Sequence, residues 1–351
     1  MATAQRLDIE ADIALANERV DALGWTDGLP VVPPTEELVH AMLVRSGQGP
    51  GDVLGRMQPL DGVVTVERVA ANAVMAGCMP DYFPVVLAAV KAVLQPQFHV
   101  GSTACTTGGA APVVIVNGPI ATRLKINAGT ACFGGNVRAN ATIGRALRLV
   151  MRNLGGAKPG GQEKSTQAWP GKVTCCFAEN EERSPWEPLH VQHGLPTSTS
   201  AVTVIAVRGM YPICEGTQEA GIGVLETIAA SMRVMGSPIY NQNPRNELPV
   251  IVALGPEHAH EIASAGFSKR DVRHYLFEYA RMPVGQLIGR VYNGTDPWPP
   301  WIDTRDPRAM VPMVAHPDHF VVVVAGGDGR HSTWMPAWNV CQGAREVVEE
   351  A

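Results

Sequence analysis

Four carboxylates fall within the nine residues ENEERSPWE, at 179 to 187, and two histidines, His190 and His193, follow directly. Carboxylates beside imidazoles abstract and return protons near neutral pH, so Glu179 or Glu181 reads as a general base and His190 as its acid or orienting partner. In an extended run Glu179 and Glu181 share a face with Cys175 and Phe177. The same groups offer a second chemistry, a divalent metal held by Glu179, Glu181, His190 and His193, although the spacing matches neither H-E-x-x-H nor a facial triad. No cofactor is firmly called for. The plain alternative is a solvated acidic turn whose charges are relieved by arginines elsewhere in the chain.

A thiol is the next candidate. Cys78 follows Gly77, a natural helix terminator, and stands two residues before Pro80, at the joint between two helices. Unpaired N–H groups at the start of the second helix favour a thiolate there, against the opposing charge of Asp81. The competing reading is a small apolar residue filling a helix corner. The seven cysteines are scattered without C-x-x-C spacing, so neither a disulfide framework nor a structural zinc site is expected.

Further polar groups could hold a ligand. Asn136 and Asn140, spaced i and i+4, project from the start of a helix behind Gly134-Gly135, a place suited to a carboxylate or other anion. On that helix Arg138, Arg145, Arg148 and Arg152 share one sector, which reads as a solvated or interface face. Thr106 and Thr107 precede a buried strand that Asn117-Gly118-Pro119 closes. His331 and Ser332 follow the most hydrophobic strand, where α/β folds commonly place their sites. Nucleotide-binding glycine motifs are missing from these loops.

These residues need a scaffold, and the apolar pattern supplies one. Helices are predicted over 8–23, 35–46, 65–77, 80–94, 135–154, 218–235, 256–265 and 268–281. Between them APVVIVNG (111–118), KVTCCFAE (172–179), SAVTVIAVRG (200–209), LPVIVALG (248–255) and HFVVVVAGG (319–327) read as strands buried on both faces. The expected fold is therefore α/β, a mixed and largely buried sheet with flanking helices. Two packed lobes are expected, 1–160 and 172–351, joined through the linker-like segment 155–171. No convincing internal repeat emerges.

Composition narrows the function. With 46% hydrophobic and 17% charged residues among 351, the chain has enough apolar mass for a sizeable core, which excludes disorder. A formal charge of −5 argues against nucleic acid as a partner. No apolar run is long enough for a membrane span and the first twenty residues read as an amphipathic helix, so a cytoplasmic protein is expected. The one-sided arginine face suggests a homo-oligomer.

Several stretches together resemble the bacterial family of UGSC (seleno)proteins: GWTDGLPVVPPTEE, NAVMAGCMPDYFPVVLAAV, VIVNGPI, NVRANATIGRALRLVMRN, FAENEERSPWEPLHV, GPEHAHEIASAGFSKRDVR and VAGGDGRHS. The resemblance spans nearly the whole chain, but the Cys-Gly-Ser-Cys motif of the fused form has no counterpart here. It implies an enzyme, marks Cys78, Asn117, Asn140, Arg145, Glu179, Glu181, Trp186 and His190 as motif positions, and places any redox dithiol on a separate (seleno)protein partner. The leading expectation is a small-molecule enzyme acting on a small anionic substrate through a lyase, hydrolytic or thiol-redox step. The alternatives are a metal-dependent hydrolase or hydratase, and a non-catalytic subunit that offers its arginine face to a dithiol partner.

Overall fold

The computed structural model describes residues 6–8, 12–134, 136–216, 221–234, 247–288, 298–338 and 340–350. The chain opens with helices α1 (Ile13–Ala22) and α2 (Glu36–Val44), whose first-turn N–H groups are capped by the side chains of Asp12 and Thr35. A hairpin, β1 (Val53–Met57) and β2 (Gly62–Thr65), leads into α3 (Val66–Ala76), α4 (Phe83–Leu94) and α5 (Val100–Cys105). Next come β3 (Ala111–Asn117), α6 (Pro119–Arg123), α7 (Arg138–Asn153), β4 (Cys176–Ala178), α8 (Leu189–Gln192), β5 (Ala201–Val207) and β6 (Tyr211–Cys214). The remainder holds α9 (Gly221–Ser231), β7 (Val250–Leu254), α10 (Pro256–Ser264), α11 (Lys269–Tyr279), β8 (Arg281–Pro283), α12 (Val284–Leu287), β9 (Met310–Pro312), β10 (Phe320–Val324), β11 (His331–Pro336) and β12 (Ala344–Val347). This is a mixed α/β fold, as the pattern predicts. The predicted starts at 135 and 218, and the end at 235, fall on residues outside the described set. No single helix among the described residues is long and apolar enough to cross a membrane.

Two four-stranded sheets form among the described residues, ordered β12-β5-β3-β4 and β10-β7-β11-β6. They stack face to face, because side chains alternate along a strand and both faces of the central strands are apolar. Val114 and Val116 of β3, with Val202 and Val204 of β5, join a core with α3, α4 and α7. The intervening Val113, Ile115 and Val207 meet Ile251, Ala253 and Val323 of the other sheet. Beyond that sheet Val252, Leu254 and Val322 pack on α9, α10 and α11. Four layers result, helix, sheet, sheet, helix, and every long strand is buried on both sides.

The sheets share a plan. In the first, β4 runs parallel beside β3 and β5 antiparallel on its other flank; in the second, β10 and β11 take the same places about β7. The fourth strands are exchanged: β6 follows β5 but pairs with β11, and β12 follows β11 but pairs with β5. An isolated antiparallel bridge between Val207, at the end of β5, and Ala337, just after β11, ties the two sheets together. The expectation of no repeat is thus corrected, and a sequence trace exists: APVVIVNGP at 111–119 aligns without gaps with LPVIVALGP at 248–256.

The expected lobe boundary is corrected as well. β12 completes the first sheet, so the strands do not divide at 155–171. That segment is anchored rather than linker-like: Glu163, 7% exposed, lies 3.4 Å from Arg148 and 2.5 Å from Lys172. The arginine face of α7 is covered by it and by the N-terminal loop. Arg145 holds Asp27 with two bonds of 2.8 Å and also donates to the carbonyls of Leu29 and Pro30. Of the four arginines, Arg145 and Arg148 are thus turned to Asp27 and Glu163, exposed Arg138 donates to the Gly77 carbonyl at 3.0 Å, and Arg152 Nε is buried with no partner among the described residues, so only part of the sector is the solvated face expected.

Candidate active site

β3 ends at Asn117 because Gly118 turns the chain at φ 85°, a conformation L side chains rarely adopt. A Cβ at Gly118 would also collide with the Thr199 carbonyl. Beside it β4 ends at Ala178, yet the ladder continues one step as the Glu179 N–H donates to the Val116 carbonyl at 3.1 Å. That extra step sets Glu179 against Asn117. The following 3₁₀ turn, Glu181–Arg183, brings Glu181 back over the same amide.

Asn117 joins the two carboxylates. Its Nδ2 donates to Glu179 Oε2 at 2.6 Å and to Glu181 Oε1 at 3.0 Å, using both amide hydrogens. Glu181 Oε1 also accepts from the Gly118 N–H at 2.7 Å. Its other oxygen has no protein partner among the described residues, and the side chain is 27% exposed. One oxygen of Glu181 is therefore fixed while the other stays open.

Glu179 is the buried member, with no side-chain exposure. Its Oε2 also accepts from the Leu189 N–H at 2.7 Å, and its Oε1 lies 3.5 Å from Lys269 Nζ. Lys269, 2% exposed, donates as well to the Glu187 carbonyl at 2.9 Å. It stands in the first turn of α11, whose start is fixed by a reciprocal capping box between Ser268 and Asp271. Trp186 Nε1 donates to the Phe267 carbonyl at 3.1 Å, which staples the acidic loop to the same helix start.

His190 completes the group from α8. It is 1% exposed, neither ring nitrogen has a hydrogen-bond partner, and Nδ1 lies 3.7 Å from Glu181 Oε1. A buried imidazole without a partner is unusual, since buried polar groups are almost always bonded. Asn117, Glu179, Glu181 and His190, all expected from the sequence, thus meet at the ends of β3 and β4.

Other expected members do not join them. Cys78 is the residue after the left-handed Gly77 in a Schellman ending of α3: its N–H bonds to the Ala73 carbonyl and that of Gly77 to Val74. Residues at that position pack back on the helix, and Cys78 is accordingly 6% exposed with its thiol donating to the Thr142 carbonyl at 3.4 Å. Burial pushes its pKa up to about 12, outweighing the nearby arginines. The expected thiolate is corrected to a buried, protonated thiol. Asn140 is a clasp, bonded to Asn127 N and O and to the Cys132 carbonyl. It holds the 127–132 loop, and neither it nor Cys78 shares a bond with the cluster. Asn136 is exposed, and Gly135 lies outside the described residues.

Thr106 accepts from Trp338 Nε1 at 2.7 Å and from the Gly108 N–H, and Thr107 is exposed. Both sit at the opposite end of β3 from Asn117, about 20 Å away along a seven-residue strand. Arg145 clamps the N-terminal loop rather than a ligand. Ser332, the second residue of β11, contacts His258 Nδ1 at 2.8 Å, where both are buried, while exposed His331 turns its ring toward the Gly329 carbonyl. His193 is surface-facing; burial of part of its ring, then the positive charges of Arg345, Lys269 and Arg273, lower its pKa to about 4. Glu179, Glu181, His190 and His193 do not converge as metal ligands, and among the described residues no cluster of three or more such side chains does.

Lys269 escaped the sequence reading. A signal was available: the Ser268-x-x-Asp271 box marks a helix start, where a cation opposes the macrodipole and needs a carboxylate to hold it. Compared with protein-family models and with curated proteins, the chain matches none.

Proposed function

We propose that this protein is a small-molecule enzyme that works by proton transfer, with Glu181 as the general base. The observation that supports it most is the division of labour on Glu181: Oε1 is pinned by Asn117 and Gly118, leaving Oε2 open on a partly exposed side chain. A base must be held in place yet reach its substrate. Asn117 positions it, and the buried pair Glu179–Lys269 in turn fixes Asn117. Glu181 takes the proton on Oε2 and returns it from the same oxygen, while His190, its Nδ1 3.7 Å from the pinned Oε1, backs the carboxylate as a positioning partner. The step is of lyase or hydrolytic type, in which a proton is removed from carbon or water and returned to the leaving group. A thiol-redox step has no support from Cys78.

Deuterium wash-in tests this without a known substrate. The protein is incubated in heavy water with a panel of small carboxylic and carbonyl compounds, and exchange is followed by proton NMR. Wild-type protein is expected to exchange at least one compound, and Glu181→Gln to do so about 10²- to 10⁴-fold more slowly. No exchange by wild type, or equal exchange by the variant, ends the proposal.

A further inference from the structure

A cavity of about 370 Å³ lies between the two sheets. The first sheet lines it with Thr203, Ile205 and Arg345, the second with Phe320 and Val321. α8 presents Leu189 and Gln192 to it, with His193 at the helix end, three and four residues apart on one side, while His190 stands on another.

Arg345 is the informative member. Its Nε donates to Thr203 Oγ1 at 3.0 Å, and its two terminal nitrogens have no partner among the described residues. Burial lowers its pKa to about 10, so it stays charged at neutral pH. A half-buried guanidinium without a counter-ion is ready for one, and its fork matches a carboxylate edge to edge. Two more groups in the lining are unsatisfied: Gln192 Oε1 and His319 Nδ1 are buried with no hydrogen bond. Gln192 Oε1 accepts only, so it calls for a donor on the ligand.

We propose that this cavity binds a small hydroxy- or amino-monocarboxylate, its carboxylate on Arg345 and its hydroxyl or amine donating to Gln192. The carbon skeleton covers Ile205 and Phe320. A single negative charge is favoured because the other lining charges are acidic: Glu247 has no cation of its own among the described residues, and Asp318 is already paired with Arg273 at 2.9 Å. A phosphate dianion would meet one arginine and be repelled by Glu247.

Titration calorimetry on the full chain decides the matter. Lactate, 3-hydroxybutyrate and serine are the probes, with butyrate and inorganic phosphate compared at matched ionic strength. At least one probe is expected to bind saturably, butyrate more weakly, and Arg345→Met to weaken binding about ten- to a hundredfold. Should that variant not fold, Arg345→Lys, which keeps the charge but loses the fork, is expected to bind measurably and more weakly. Absence of binding by all three probes, phosphate binding as tightly, or unchanged affinity in the arginine variants overturns the proposal. Glu181→Gln is expected to bind the probe as wild type does, so failure here and failure of the proton-transfer reading are separate results.

Discussion

Cysteine 78 and asparagine 117 show what a single residue's surroundings do to its chemistry. Both stand where a secondary element ends, and their types alone allowed a reactive role for each. The Schellman turn drives Cys78 into the core, whereas the turn at Gly118 leaves Asn117 facing two carboxylates. Alkylation reads the difference directly. Cys214 is exposed and Cys105 half-buried, while Cys78, Cys132, Cys175, Cys176 and Cys341 are buried. With iodoacetamide at neutral pH, Cys214 and Cys105 are expected to label and the other five to stay unmodified until denaturant is added, as peptide mass spectrometry would report. Fast labelling of Cys78 in the native protein would contradict its buried, protonated state. The glutamates and His190 were legible because four carboxylates in nine residues demand an explanation. The burial of Cys78 was not, since free cysteine suits a core and a helix joint alike.

Helices and turns carry the cluster, and the start of α11 matters most among them. Lys269 faces a carboxylate that has no exposure of its own. Removing one partner of a buried ion pair leaves the other uncompensated, so Lys269→Met is expected to destabilise the fold by about 3–5 kcal/mol. Adding Glu179→Gln removes the stranded charge, and the double variant should recover part of that loss in urea unfolding. Full additivity of the two single changes would show that the pair is not coupled. At this scale the sequence was informative: eight helices and five buried strands were foreseen. The short β11 and β12 were missed because HSTWMP and AREV are too brief and too mixed to alternate visibly. The arginines of α7 were correctly placed on one sector, but only the fold reveals that Asp27 and Glu163 come from distant segments to cover it.

For the whole molecule, close packing of thiols between layers sets a pH limit. Cys78 and Cys175 are both raised by burial from an ordinary thiol value to about 12. In the unfolded chain they ionise near pH 9, in the folded one near 12. The folded state therefore holds more protons between those values, and its stability is complete below pH 9 and falls as pH rises toward 12. Each thiol contributes a slope of up to about 1.4 kcal/mol per pH unit. Unfolding free energy measured from pH 8 to 11 is expected to drop across this window, and replacing Cys78 with serine or alanine to make the drop shallower. An unchanged profile in the variants would place the titrating groups elsewhere. The paired sheets have a further consequence: each half keeps the same strand plan and the same Gly-Pro exit, yet only the first half ends its parallel pair in an amide and two carboxylates.

By itself the sequence determined the elements, since periodicity, caps and glycines act over a few residues and need no knowledge of the rest. It also determined that acid/base groups crowd one loop. Tertiary structure alone decided which groups meet: the exchange of β6 and β12 between sheets, the docking of α11 on the acidic loop, and the cavity around Arg345 join residues dozens to hundreds of positions apart. Contacts at such range depend on how buried faces stack, and local pattern carries no record of which face meets which.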